Sequence, residues 1–104
     1  MDDLIVLIQE TYTQNSFSGQ VPSETETSVW ASIQSVTRSE WEAAGQNGIN
    51  PSIVIRTPRV NYNGEKTVEV GGRRYGIYRT YFPADNDEIE LYCEEKAGTN
   101  IKED

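Results

Sequence analysis

Hydrophobic and polar positions alternate with a two-residue period along much of this chain. In 27-TSVWASIQSV-36, Val29, Ala31 and Ile33 share one face while Trp30, Ser32 and Gln34 share the other, which predicts a half-buried strand. The stretch 4-LIVLIQETYT-13 opens with an unbroken apolar run rich in β-branched residues, which fits a strand covered on both faces, with a short helix as the alternative. After Pro51, 52-SIVIRT-57 resumes strand character until Pro58, and an Asn63-Gly64 turn follows. The runs 66-KTVEV-70 and 73-RRYGIYRTYF-82 flank Gly71-Gly72, a two-residue hairpin turn that needs positive φ. The last strand, 88-EIELYCEE-95, places Ile89, Leu91 and Cys93 on one face.

The period changes once. In 36-VTRSEWEAAGQNG-48, Thr37 fits an N-cap, Glu40 is positioned to close a capping box, and Val36 with Trp41 matches a hydrophobic staple. Ala43 and Ala44 favour helix and Gly45 or Asn47-Gly48 supplies a left-handed stop, which predicts a helix over about residues 38–46. Its apolar stripe consists of Trp41 and Ala44 alone, too little to hold so short a helix by itself. The polar stretch 14-QNSFSGQVPSETE-26, with Gly19 and Pro22, predicts a long mobile loop over about 14–26, and the tail over about 96–104 has almost nothing to bury. The expected architecture is mainly β: a single domain over 1–104, a small antiparallel β-barrel or sandwich of about five to six strands with one short α-helix.

Composition adds constraints. A length of 104 residues suits one domain, and an apolar content of 36 % with six Tyr, two Trp and two Phe supports a modest core under a polar surface. Seventeen acids against nine bases give a net charge of −8, a field that repels nucleic-acid phosphates and anionic membranes. No apolar run approaches the ~20 residues of a membrane span. The opening 1-MDDLIVLIQE-10 carries acids where a signal peptide carries positive charge, so a cytoplasmic protein is expected.

Catalytic chemistry finds little to work with. The chain has no His and a single Cys, Cys93, which reads as a reduced core residue because no second thiol or imidazole is available to it. No nucleophile elbow and no P-loop is present, so the chain is not expected to be an enzyme, and no cofactor is expected. The cluster 85-DNDE-88 lacks the spacing and distal Glu of an EF-hand loop and reads as a solvated turn, so no metal site is expected. Arg73, Arg74 and Arg79 read as surface ion-pair partners, with use across a subunit interface left open. Trp30 and Trp41 read as structural residues ahead of ligand-stacking platforms.

The order of these pieces carries more than any one of them. The run 30-WASIQSVTRSEWEAAGQNGINPSIVIRTP-58, then Val70, Gly71-Gly72 and RRYGIYR to residue 79, then 88-EIELYC-93 with a Gly in the tail, resembles the head-closure (stopper, or head-tail joining) proteins of tailed phages with long flexible tails. The resemblance spans about residues 28–98 and rests on order and spacing.

The resemblance implies a structural virion-assembly role without chemistry: a ring below the portal and adaptor that closes the DNA-filled head and offers the tail its docking surface. The implied partners are the portal or adaptor ring, the tail-terminator protein and further copies of the chain, with the monomer as a compatible state in solution. DNA would pass through the channel without specific binding, and no membrane is involved. The implied location is the host cytoplasm during assembly, then the virion neck. Residues 37–51 are the candidate segment facing the channel or the adjoining ring, through Thr37, Arg38, Glu40, Trp41, Gln46, Asn47 and Asn50, with Arg73, Arg74 and Arg79 as candidate subunit-interface residues. That segment is expected to be weakly held in the free monomer, or else to plug one end of the barrel through Trp41. Two other readings remain: a small acidic β-barrel binding a peptide or sugar, and a neighbouring neck or tail-terminator protein.

Overall fold

The computed structural model describes residues 2–15, 19–84 and 86–95. Six strands, β1 (Asp2–Asn15), β2 (Gly19–Ser35), β3 (Pro51–Pro58), β4 (Thr67–Val70), β5 (Arg73–Tyr81) and β6 (Glu88–Glu95), pair antiparallel into a closed barrel of order β1-β2-β3-β6-β5-β4. One α-helix, α1 (Arg38–Gly45), joins β2 to β3, and a 3-10 turn (Arg59–Asn61) follows β3. Closure leaves few sheet edges open, as a short sheet with this much β-branched content requires.

The core is the inward half of the strand alternation. Ile5 and Leu7 of β1, Val29 and Ala31 of β2, Ile55 of β3, Val68 of β4 and Ile89, Leu91 and Cys93 of β6 form one buried cluster. The Gly71-Gly72 turn has φ of +59° and +84°, the conformation a two-residue hairpin matching the sheet twist demands.

β3 and β4 lie on opposite sides of the barrel, three places apart in the closed order, so their connection over residues 59–66 must cross one end. Tyr62 on this crossover packs against the core, and its hydroxyl donates to the Glu65 carbonyl at 2.7 Å. The Glu65 side chain, itself buried, accepts from the Asn63 amide at 2.7 Å, and the buried Thr57 hydroxyl donates to the Trp30 carbonyl at 2.9 Å. The barrel end is therefore closed by Tyr62 and a satisfied polar turn, not by Trp41, which is 53 % exposed.

Residues 14–26, expected as a loop, are strand wherever described. β1 and β2 pair continuously from Asp2↔Ser32 to Asn15↔Gly19, whereas β1 meets β4 only over Val6–Ile8 and β2 meets β3 only over Ser32–Ser35. Beyond those contacts the two strands continue as a ribbon, which accounts for a long axis of 48 Å against 30 and 24 Å across. The alternating 23-SETET-27 supports the pairing, and a proline is tolerated where a strand has an open edge. Arg74 of β5 grips the base of the ribbon, donating twice to the Glu24 carboxylate at 3.0 and 3.1 Å. The expected mobile tail over 96–104 and Asp85 of the acidic turn lie outside the described residues.

Candidate assembly surface

α1 begins and ends as its sequence predicts. The Thr37 hydroxyl accepts from the Glu40 amide at 3.1 Å, and the Trp41 amide donates to the Thr37 carbonyl at 2.9 Å. At the other end Gly48, with φ +78°, allows the Gly48 and Ile49 amides to donate back to the Gly45 and Ala44 carbonyls at 3.1 Å each, the double bond of a Schellman stop.

The helix rests on the outer wall of the barrel. Val54 is out of phase with the core-facing Ile53 and Ile55, so it points outward, yet only 8 % of it is exposed because α1 packs on β3. Ala44 is the one buried residue of the helix. So small an apolar contact leaves the attachment to polar groups.

Those groups come from an irregularity in β5. The register with β6 runs Ile77↔Cys93 and then Arg79↔Tyr92, so Tyr78 is the extra residue of a β-bulge. The bulge lets two successive side chains reach the same helix. The Tyr78 hydroxyl donates to Glu40 Oε2 at 2.5 Å, and Arg79 donates to the same carboxylate through Nη2 at 2.6 Å and Nε at 3.2 Å. The Arg79 guanidinium lies 3.8 Å from the centre of the Tyr92 ring, and the Tyr78 and Tyr92 rings meet edge-on at 6.4 Å. Tyr92 in turn donates to Glu90 Oε1 at 2.8 Å, and Glu90 is also gripped by Arg56. The outer face of β3, β6 and β5 is thus one polar network that ends on the helix.

The network sets its own charge states. The Arg79 hydrogen bond holds the Glu40 carboxyl below the usual range, against the opposing pull of burial. Burial and the bond to Glu40 push the Tyr78 phenol up, and Glu40 pushes Arg79 up. At Glu90, burial alone would raise the carboxyl, but the bonds from Tyr92 and Arg56 outweigh it and the net shift is downward.

The structure divides the candidate residues. Glu40, Asn47 and Arg79 line a cleft of about 400 Å³ between helix and β5, floored by Ala44, Ile49 and Tyr78. Thr37, Arg38 and Trp41 line a separate groove with Val36 and Glu42. Gln46 and Asn50 are exposed beyond the helix. Arg73 pairs with Glu95 at 2.6 Å, and Arg74 holds Glu24, so neither joins the helix site. Glu40 does not spend its carboxylate on the expected capping box; Arg79 and Tyr78 take it. Tyr78, Tyr92, Glu90 and Arg56 had no signal in the sequence, because nothing in 77-IYR-79 marks the bulge that aims them.

Several large apolar side chains outside the helix are also exposed. Leu4 pairs across from Trp30, and these are 54 % and 62 % exposed. Val60, Tyr81 and Phe82 are likewise exposed, with Arg59 over the Phe82 ring at 4.9 Å.

Reactive groups are sparse. Cys93 is fully buried, and burial pushes its thiol up to about 12, where it stays protonated and unreactive at neutral pH. In the acidic turn, Asn86 Oδ1 accepts from the Glu88 amide at 2.9 Å. Among the described residues no group of three or more His, Cys, Asp or Glu is placed to hold a metal ion. No helix there is long and apolar enough to cross a membrane.

Comparison with known proteins gives three findings. No curated protein sequence matches the chain. The solution structure of protein SF1141 from Shigella flexneri 2a is similar in fold, with a TM-score of 0.67 at 21 % identity over 90 % of this chain and 92 % of that one. The sequence model of the phage head completion proteins matches residues 1–96.

Proposed function

Because this chain belongs to the phage head completion protein family, with a structural role in head assembly, we propose that it forms the ring below the portal and adaptor. There it closes the DNA-filled head and offers the surface on which the tail docks. The observation that carries the reading is the family match over residues 1–96, which takes in all six strands and the helix. The net charge of −8 supports it, since a lumen that repels phosphate lets DNA slide without sticking.

In this reading the partners are the portal or adaptor ring on one side and the tail-terminator on the other, met in the host cytoplasm and kept in the virion neck. The 37–51 segment faces the channel or the adjoining ring, and Trp41, exposed at the helix surface, is its apolar contact. Arg73 and Arg74 contribute to the contact between subunits.

The test is electron microscopy of particles from the source phage or induced prophage with this gene inactivated. Empty or leaking heads beside complete, unattached tails are the expected result. Normal virions would overturn the reading. A ring whose lumen proved basic would remove the electrostatic argument.

A further inference from the structure

We propose that α1 is a releasable strap, anchored to the outer wall of the barrel chiefly by one carboxylate, that of Glu40. The inference concerns the free protein and does not depend on ring formation.

Three observations carry it. First, the helix buries a single residue, Ala44, so apolar contact contributes little to its attachment. Eight residues of helix are also too few to persist without tertiary support. Second, the contacts that reach from α1 to the opposite strand converge on one group. Glu40 takes the Tyr78 hydroxyl at 2.5 Å and the Arg79 guanidinium at 2.6 and 3.2 Å, and its side chain is only 12 % exposed. The other charged residues of the helix, Arg38 and Glu42, pair with each other at 3.4 Å and lie in solvent. Third, the barrel closes without the helix, because every neighbouring pair in the closed order is joined strand to strand and the crossover at the barrel end is a different segment.

Glu40 is therefore a positioning residue whose loss would free the chain between the end of β2 and the start of β3 while the barrel stays shut. Release would bare the part of the outer wall around Val54 and Tyr78. The bulge after Ile77 belongs to the same device, because without the extra residue Tyr78 and Arg79 could not face one carboxylate together.

Amide hydrogen exchange on the purified monomer tests the proposal, using Glu40→Gln, Arg79→Lys and, as a control, Glu42→Gln. Gln cannot supply the charge, and Lys cannot make the two-pronged bond. In Glu40→Gln, amides from about residue 40 to residue 49 should exchange roughly tenfold faster or more, with β3, β5 and β6 unchanged. Arg79→Lys should show a smaller acceleration in the same segment, and Glu42→Gln none. Unchanged protection of α1 in Glu40→Gln would overturn the proposal. So would equal loss of protection in the helix and the strands, which would make the helix part of one cooperative unit with the barrel.

Discussion

Inside the barrel, Ile5, Leu7, Ile55, Ile89, Leu91 and Cys93 are sealed from solvent and hold β1, β3 and β6 together by apolar contact. Outside it, α1 brings Ala44 alone into burial and depends on Glu40, Tyr78 and Arg79. The two attachments differ in kind. Apolar burial is non-directional and indifferent to pH, so the barrel persists through exchanges of similar volume. A carboxylate clamp is directional and titratable, so a change of one proton or one neighbouring charge suffices to alter it. A frame that must stay closed and an element that can be released are thus built on the two sides of the same strands.

Breaking the frame should have the largest effect. Leu91→Ala removes a fully buried side chain from the centre of the cluster and should cost about 2–5 kcal/mol in urea unfolding, with β-structure lost in one transition. The Cys93 thiol reports on the same event. It should resist thiol reagents in the native protein at neutral pH and react at once in denaturant, with a native rate that rises in Leu91→Ala.

The clamp ranks next. Glu40→Gln should cost about 1–2 kcal/mol at neutral pH, discounted for the partly exposed Arg79. Its pH dependence has a definite sign. The folded-state carboxyl of Glu40 titrates lower than in the unfolded chain, so its stabilisation is complete above the unfolded value, about 4.3, and is lost as pH falls through the folded one. The facing groups, Tyr78 and Arg79 of β5 and Tyr92 of β6, keep their protons over that range. The stability difference between the native protein and Glu40→Gln, read from urea midpoints, should therefore shrink between about pH 5 and strongly acid solution.

Two smaller substitutions sharpen the contrast. Thr37→Ala removes the acceptor for the Glu40 amide and should cost about 1 kcal/mol, confined to the helix. Arg38→Ala breaks only a solvent-exposed pair and should stay within about 0.5 kcal/mol of the native protein in the same urea assay.

The same contrast explains what could be read from the sequence. Two-residue alternation located β6 and the second half of β2 because one face of each is buried, β-branched content between two prolines located β3, and the Gly71-Gly72 pair located the β4–β5 turn because few other residues adopt its φ. The caps located α1 to within a residue. The part of the ribbon over residues 14–26 was not legible: Ser23 to Ser28 are all exposed, and with no buried face no hydrophobic pattern separates a Thr- and Glu-bearing strand from a loop. Nor was the clamp. Arg79 was read as an ion-pair partner, as it is, and Glu40 as a capping-box and channel-facing residue, but nothing named each as the other's partner. Their pairing joins residues 39 apart through a bulge that leaves no mark on composition.

Completion of filled heads by this family member can be measured by adding purified protein to DNA-filled heads from particles that lack it, together with preformed tails. DNA should be retained, and heads should join tails to give infectious particles in proportion to protein added. Heads that continue to leak and leave tails unattached, with folded protein present in excess, would contradict head completion by this protein.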